Sequence, residues 1–311
     1  MNSRSDVAVV IPTHTPGPWL EPTIRSVLAQ TAPPAEIVVV DDGSKEPLDA
    51  RLAEFRSHIL LARQANAGPG AARNRGVSLT EASYLAFLDD DDLWEADKLE
   101  RQVRFLDEHP ECGMVAGEVR EFGDGIQLRP KPRCGDSPVP DLTVEGLLAG
   151  NPIATVSVVM RRSVFDAVGG FCESWDCFAV EDYDLWLRVA ATTRIGWIPE
   201  FVARYRRHES SISNPCRFLE NGMFVLERAR RRLAGTPELA ARIRKRRGEL
   251  LRDYAWARLE NGQAVRAFAP IVEALGLTPG DARVWRLLAR AALATFKLTP
   301  HASLTPGMPQ S

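Results

Sequence analysis

Four consecutive aspartates, Asp89 to Asp92, stand between Phe87-Leu88 and Leu93-Trp94. Adjacent carboxylates repel one another, and a cation or solvent must relieve that cost. Mg²⁺ usually takes one or two carboxylates together with substrate phosphates. A run that interrupts an apolar strand between aromatic residues therefore points to a metal–diphosphate site; the alternative is a solvated acidic loop. A second acidic pair, Asp41-Asp42, follows Ile37–Val40 and precedes Gly43-Ser44. A carboxylate there would accept from a base N–H or a ribose hydroxyl, or else cap a helix or close an Asx turn. A third cluster, Glu181-Asp182-Tyr183-Asp184, opens a helix at the positive end of its dipole. It reads as an N-cap or as a general base facing the metal site, and its spacing does not separate the two.

These groups need a scaffold that brings them to one edge. The first hundred residues alternate strand and helix: apolar runs at Val7–Ile11 (ended by Pro12), Ile37–Val40, Ile59–Ala62 and Tyr84–Leu88, with helices near Glu21–Gln30, Leu48–Phe55, Gly70–Leu79 and Ala96–Glu108. Runs without polar alternation suit strands buried on both faces of a parallel sheet. Such a sheet binds ligands at the carboxyl ends of its strands, where both aspartate clusters fall. Beyond residue 113 the pattern loosens. Gly113–Val119 and Thr155–Met160 read as strands, 123–140 as a surface loop, and Asp182–Ala191 as a helix. After Pro215 the period is helical throughout, broken at Gly235-Thr236-Pro237, Gly262 and Thr278-Pro279-Gly280. Ala257–Ala294 has the outline of one tetratricopeptide-type helix pair, a single copy.

Taken in order, the segments resemble the family 2 glycosyltransferases of the GT-A fold. The resemblance rests on Val9-Val10-Ile11-Pro12-Thr13 with Val38-Val39-Val40-Asp41-Asp42-Gly43-Ser44; on Asn66-Ala67-Gly68-Pro69-Gly70-Ala71-Ala72-Arg73-Asn74 with the aspartate run; and on Gly169-Gly170-Phe171 before Glu181-Asp182. Tyr205-Arg206-Arg207-His208, with Ser211 and Ser213, is similar to that family's closing motif. The resemblance spans about 7–215.

It implies a Rossmann-like, mixed and mainly parallel α/β sheet flanked by helices, with an α-helical C-terminal appendage. Residues 1–112 would form the nucleotide-sugar-binding half and 113–215 the acceptor-binding half of one domain. Residues 216–298 would be the helical C-terminal region and 299–311 a disordered tail. It further implies inverting transfer of a sugar from a nucleoside diphosphate sugar, UDP by default, to a glycan, lipid-linked or other hydroxyl acceptor. Asp182 would take the acceptor proton. Pro12, Thr13, Asp41, Asp42, Asn66, Gly68, Arg73, Asp89, Asp90 and Arg206 would bind the nucleotide sugar. Asp91, with Asp89 and His208, would hold Mg²⁺ or Mn²⁺, and Glu181 and Trp186 would face the acceptor. Two departures matter. Cys172 follows Gly169-Gly170-Phe171, where the family often has an acidic residue, and the QxxRW motif of processive synthases does not occur. One sugar per binding event is therefore expected.

Composition narrows the remainder. The 311 residues carry 39 Lys+Arg against 41 Asp+Glu, but residues 1–200 hold 19 against 32 (−13) and residues 201–311 hold 20 against 9 (+11). Ten Arg or Lys fall between Arg228 and Arg252. They suit a solvated helix face, docking onto the acidic front, or an anionic membrane surface at ~1 kcal/mol per basic residue; nucleic acid is not expected, because no recognition motif accompanies the charge. Five cysteines without a CxxC pair read as a reduced set with neither disulfide framework nor zinc site. The expectation is a cytoplasmic protein with a peripheral contact at the inner membrane face through 228–252. Two rivals stand beside the transferase: a sugar-phosphate nucleotidyltransferase, which needs a basic phosphate loop that His14-Thr15-Pro16-Gly17-Pro18 lacks, and an inactive homologue that senses nucleotide sugars or scaffolds partners.

Overall fold

The computed structural model describes residues 5–123, 140–208, 215–233 and 235–298. Most of the predicted 123–140 loop and the whole tail from Thr299 lie outside the described residues. Among the described residues eight strands form one sheet: β1 (Ser5–Thr13), β2 (Pro34–Asp42), β3 (Leu60–Gln64), β4 (Tyr84–Phe87), β5 (Leu93–Trp94), β6 (Cys112–Phe122), β7 (Val159–Arg161) and β8 (Arg194–Arg206). Their order is β3-β2-β1-β4-β7-β6-β8-β5. The pairings β1–β2, β1–β4, β2–β3 and β6–β8 are parallel; those of β7 with its neighbours and of β5 with β8 are antiparallel. The fold is the mixed, mainly parallel α/β class expected.

Strict alternation explains why the first strands are apolar throughout. Ala8, Val10, Val38, Val40, Leu85 and Phe87 enter one core, and Val7, Val9, Ile11, Ile37, Val39, Ala86 and Leu88 enter the core on the opposite face. Helices α1 (Leu20–Leu28), α2 (Pro69–Val77) and α3 (Lys98–Glu108) connect the strands. Helices α4 (Val144–Ala149), α5 (Arg162–Val168) and α6 (Glu181–Ala190) follow. The last described residues form α7 (Pro215–Arg232), α8 (Pro237–Glu260), α9 (Ala264–Leu277) and α10 (Ala282–Leu298). Val225, Leu226, Ala229, Leu239 and Ile243 of α7 and α8 join one of the sheet's cores. The second half of α8 encloses a separate core with α9 and α10. The helical breaks fall where Gly and Pro predict them, but Ala257 lies within α8, so no helix pair starts there.

Three local expectations fail, and one strand, β8, had none. Pro12 does not end β1. Val10 accepts from Leu88 on the β4 side, so Pro12, two residues on, faces that same side beyond the end of β4, where no ladder bond needs its missing N–H. Leu48–Phe55 holds only a 3₁₀ turn, Ala53–Phe55, and Thr155–Ser157 is a second such turn ahead of β7. The thirteen-residue β8 carries the mixed sequence of a strand with one partly solvated side, and it breaks register against β6 near Gly117 and Glu118.

Candidate active site

The carboxyl ends of β1, β2 and β4 converge as expected, and the connections after them carry the polar side chains. Asp42 is buried, and its carboxylate accepts from the Ala67 N–H at 2.9 Å, the Gly68 N–H at 2.9 Å and Gln64 Nε2 at 2.8 Å. Asp42 thus moulds the loop ahead of α2, where Gly68 holds φ +90°. Asp41 is buried and accepts from the Ser44 N–H at 2.8 Å, the Asx-turn alternative, with the Arg63 guanidinium 3.4 Å from its other oxygen. His14 closes this corner: its Nδ1 lies 2.7 Å from the Asp42 carbonyl and its Nε2 3.4 Å from Asn66 Nδ2. Asn66 is exposed and Pro12 is buried in the end of β1.

The four members of the aspartate run are each engaged differently. Thr13, at the end of β1, donates to Asp90, and Thr23 of α1 donates to the carbonyls of Asp90 and Asp92. Asp92 is sealed from solvent and accepts the Arg206 N–H at 2.7 Å, leaving its second oxygen without a hydrogen-bond partner. Asp91 Oδ2 lies 2.7 Å from His208 Nε2. Arg206 sends Nε to the Asp91 carbonyl at 2.7 Å and lies over the rings of Phe122 (4.3 Å) and Trp19 (5.3 Å). The Trp19 ring also lies 4.3 Å from the His208 ring, tilted by 34°. Burial, then the neighbouring carboxylates, pushes Asp90 up to about 7 and raises Asp91 and Asp92. The repulsion foreseen from the sequence is therefore present and only partly relieved by Thr13, His208 and Arg206.

Arg73 ties this edge to α6. Its side chain is 4% exposed and its two terminal nitrogens divide between Asp89, at 2.6 Å, and Glu181. Burial alone would lower its pKa, but Asp89 and Glu181 hold it above the ordinary value. Asp182, beside Glu181, is half-buried and accepts from Thr155 Oγ1 at 3.1 Å and the Tyr183 N–H at 2.6 Å. Desolvation first, then the charge of Glu181, raises Asp182 to about 7.

Several expected roles are changed by this geometry. Arg73 is a buried bridge between carboxylates. Asp89 is held by the Arg73 guanidinium. Glu181 is buried against Arg73. Trp186 is corrected outright: it lies fully inside the core, 6.3 Å from the Phe171 ring, because α6 turns that face inward. Among the described residues no three His, Cys, Asp or Glu side chains converge as a metal-holding group. Asp91 and His208 are two oxygen and nitrogen donors at one point, which fits a cation that takes the rest of its ligands from substrate phosphates and water. Thr155, Trp19 and His14 were missed. Thr155 sits in a turn with no pattern of its own, whereas Trp19, an aromatic just after a Gly-Pro loop, was a readable signal.

The cysteines that can be described, Cys112, Cys172 and Cys177, are free thiols; Cys134, Ser211 and Ser213 lie outside the described residues. Of the ten basic residues of 228–252, seven form ion pairs among the described residues. Arg228 and Arg232 reach buried Asp184 of α6 at 2.9 and 3.2 Å. Arg230, Arg231, Arg246, Arg247 and Arg252 pair with acids of the C-terminal helices themselves. Arg242, Arg244 and Lys245 are exposed. No helix of the described residues is long and apolar enough to cross a membrane.

Residues 8–168 match the family model described as glycosyl transferase family 2. An uncharacterized glycosyltransferase of Rickettsia conorii is 38% identical over 213 residues, covering 64% of this chain but 32% of its own length. The putative teichuronic acid biosynthesis glycosyltransferase TuaG of Bacillus subtilis is 29% identical over 220 residues, 68% of this chain and 83% of TuaG. The chain thus spans about a third of the Rickettsia relative and most of TuaG. Among solved structures, S. aureus TarS 1–349 in complex with UDP-GlcNAc superposes with a TM-score of 0.65 at 18% identity, covering 93% of this chain and 88% of that one. At that identity the likeness concerns the fold, and it extends through the C-terminal helices.

Proposed function

The chain belongs to glycosyl transferase family 2, and we propose that it transfers a single sugar from a nucleoside diphosphate sugar to an acceptor hydroxyl, with inversion, in cell-envelope polysaccharide synthesis. The observation that carries the reading is the Arg73 bridge: one buried guanidinium joins Asp89, the first of the aspartate run, to Glu181 at the start of α6, next to Asp182. Asp182 takes the proton of the acceptor hydroxyl as its oxygen attacks the anomeric carbon from the face opposite the diphosphate. A carboxyl with a pKa of about 7 is half ionised near neutrality, which suits a general base. Thr155 and the Tyr183 N–H hold it in place. Asp91 and His208 would hold Mg²⁺ or Mn²⁺, which when bound supplies charge neutralisation at the leaving diphosphate. Arg206, fixed by the Asp91 carbonyl and by Trp19 and Phe122, adds a guanidinium beside the same position. A UDP-sugar is the proposed donor, because the same fold in TarS is seen with UDP-GlcNAc. The similarity to TuaG, named for teichuronic acid biosynthesis, supports a cell-wall acceptor. A lipid-linked acceptor would be met through the exposed Arg242, Arg244 and Lys245 at an anionic membrane surface.

The test is turnover of a UDP-sugar panel by purified protein with Mg²⁺, Mn²⁺ or chelator, comparing wild type with Asp182→Asn and Asp91→Ala. Asp182→Asn is expected to lose about 10²–10⁴-fold in turnover while still binding UDP. Unchanged turnover in both variants would overturn the assignment.

A further inference from the structure

Thr155, whose hydroxyl donates to Asp182, opens the buried 3₁₀ turn Thr155–Ser157. A buried turn needs partners for its backbone, because a carbonyl left without one costs about as much as a lost hydrogen bond. Two carbonyls are satisfied locally. Ala154 accepts from the Ser157 N–H at 2.9 Å and Ser157 Oγ at 2.7 Å, and Thr155 accepts from the Val158 N–H at 3.3 Å. The next three are taken by side chains. Trp94 Nε1 donates to the Val156 carbonyl at 2.9 Å, Gln102 Nε2 to that of Ser157 at 2.8 Å, and Lys98 Nζ to that of Val158 at 3.2 Å. These donors stand four residues apart: Trp94 ends β5, while Lys98 and Gln102 share one face of α3. All three are buried and hold one another. Lys98 Nζ lies 4.3 Å from the centre of the Trp94 ring and donates to Gln102 Oε1 at 2.6 Å. Gln102 Nε2 also reaches the Val115 carbonyl of β6 at 3.3 Å. Burial, and Arg101 after it, push the Lys98 amine well below its usual pKa. A neutral amine keeps two hydrogens, enough for the Gln102 and Val158 oxygens.

We propose that Trp94, Lys98 and Gln102 are positioning residues for Asp182: by holding three consecutive carbonyls they fix the turn from which Thr155 orients the carboxylate. The proposal rests on Asp182 being the base of the transfer and adds how that base is kept in place. The Asp182 carboxylate accepts from Thr155 Oγ1 and from the Tyr183 N–H. Tyr183 belongs to α6 and moves with it, whereas Thr155 comes from a separate element, so the place of the turn sets where the carboxylate points. A three-residue turn has few bonds of its own, and the row of donors supplies the rigidity it lacks. The row begins two residues after Asp92, so the segment that carries the aspartate run continues directly into the grip on the turn. The aspartates and Asp182 are thereby tied by two routes, one through Arg73 and one through these carbonyls. All three residues act through the turn. Catalysis is sensitive to such placement, since an error of about 1 Å in a reacting group can cost about 10²-fold.

The test reads the Asp182 carboxyl directly. The full chain, labelled with carbon-13 at its aspartate carboxyls, is titrated by NMR, and the resonance missing from Asp182→Asn is assigned to Asp182. A hydrogen bond from Thr155 favours the ionised form, so Thr155→Val should move the midpoint upward from about 7. Lys98→Met/Gln102→Leu removes both members of one buried hydrogen bond, keeps most of their volume and should move the midpoint in the same direction. Arg73 and Glu181, the charges beside Asp182, are unaltered in both proteins, so the shift reports the turn. Turnover of the UDP-sugar that wild type uses should fall roughly tenfold to 10²-fold in the double variant, with its KM little changed. Leu106→Ala, one turn further along α3 at a side chain that carries no donor, should lower stability and leave the midpoint where it is in wild type. An unmoved midpoint in the double variant, or an equal shift in Leu106→Ala, overturns the proposal. Should the double variant fail to fold, Trp94→Phe, which deletes one of the three donors, decides by the same midpoint. The titration needs no substrate, so its result is separate from that of the proposed function, which fails if Asp182→Asn turns over normally.

Discussion

Removing the Arg73 side chain tests whether the two acidic clusters are one unit. Arg73→Met keeps most of the side chain's length and apolar contact while deleting its charge. Glu181 is left with a side chain 7% exposed, no cation, and a second oxygen that already lacks a partner. Breaking a buried ion pair from one side costs about 3–5 kcal/mol, because the surviving charge stays desolvated. The cost at Asp89 is smaller, since that carboxylate is 35% exposed and water replaces the guanidinium. The loss therefore sits mainly on Glu181. Adding Glu181→Gln should then recover most of it, giving a coupling energy of about 2 kcal/mol or more, within the range measured for residues of one network. Urea unfolding of wild type, both single variants and the double variant closes the cycle. If Arg73→Met/Glu181→Gln is no more stable than Arg73→Met, the buried-charge argument is wrong. Arg73→Lys should not rescue, because a single ammonium cannot present two nitrogens to separate carboxylates.

Asp182 links pH to activity and stability in opposite senses. Its folded pKa, raised to about 7 by burial and Glu181, makes the carboxyl neutral below that pH, so turnover should rise through a limb near pH 7. A raised folded pKa contributes stability that is full below the unfolded value and lost as pH passes the folded one, so Asp182→Asn should be relatively more stable than wild type at pH 8 than at pH 5. Equal pH dependence of unfolding in the two proteins would count against it. Gly70→Ala would put a methyl group against the Cys172 backbone carbonyl, closer than any real contact; about 1–3 kcal/mol of destabilisation is expected in thermal or urea unfolding, and a neutral result would mean that the 172–177 loop yields easily.

The first half of the sheet could be read because Val7–Ile11, Ile37–Val40 and Tyr84–Leu88 are apolar without polar alternation, a pattern that suits a strand buried on both faces. Asp42, Asp89 to Asp92 and Asp182 stood out for the converse reason, as acids at the ends of such strands or at a helix start. What the sequence left illegible was pairing. Nothing in the spacing says that Arg73, in a short Ala- and Gly-rich helix, serves two acids 16 and 108 residues away. Nor does it say that Trp186 points inward while Asp182, four residues earlier, stays half-open. The long β8 escaped because its polar residues, such as Glu200 and Arg204, break the apolar run, and its partners lie far off in sequence. The missed turn at Thr155–Ser157 carries the hydroxyl that orients Asp182, a contact made only by tertiary approach.

The contrast between an acidic front and a basic back also changes meaning once pairing is known. Asp184 is 1% exposed and meets Arg188 of its own helix together with Arg228 and Arg232 of α7. Three guanidiniums hold its pKa down although burial opposes them. The same helix begins with Asp182, whose pKa is pushed the other way, so within three residues α6 presents one acid kept ionised for packing and one kept near half-ionisation. The difference lies in partners: Asp184 has cations at contact distance, whereas Asp182 has hydroxyl and amide donors and a like charge beside it. Basic residues of α7 therefore fasten the C-terminal helices to the element that carries the proposed base. Once these pairs and those within the C-terminal helices are formed, the exposed basic charge of 228–252 that is left for a partner concentrates at Arg242, Arg244 and Lys245. A membrane or other anionic surface would be met there, on α8, and not along the whole basic stretch.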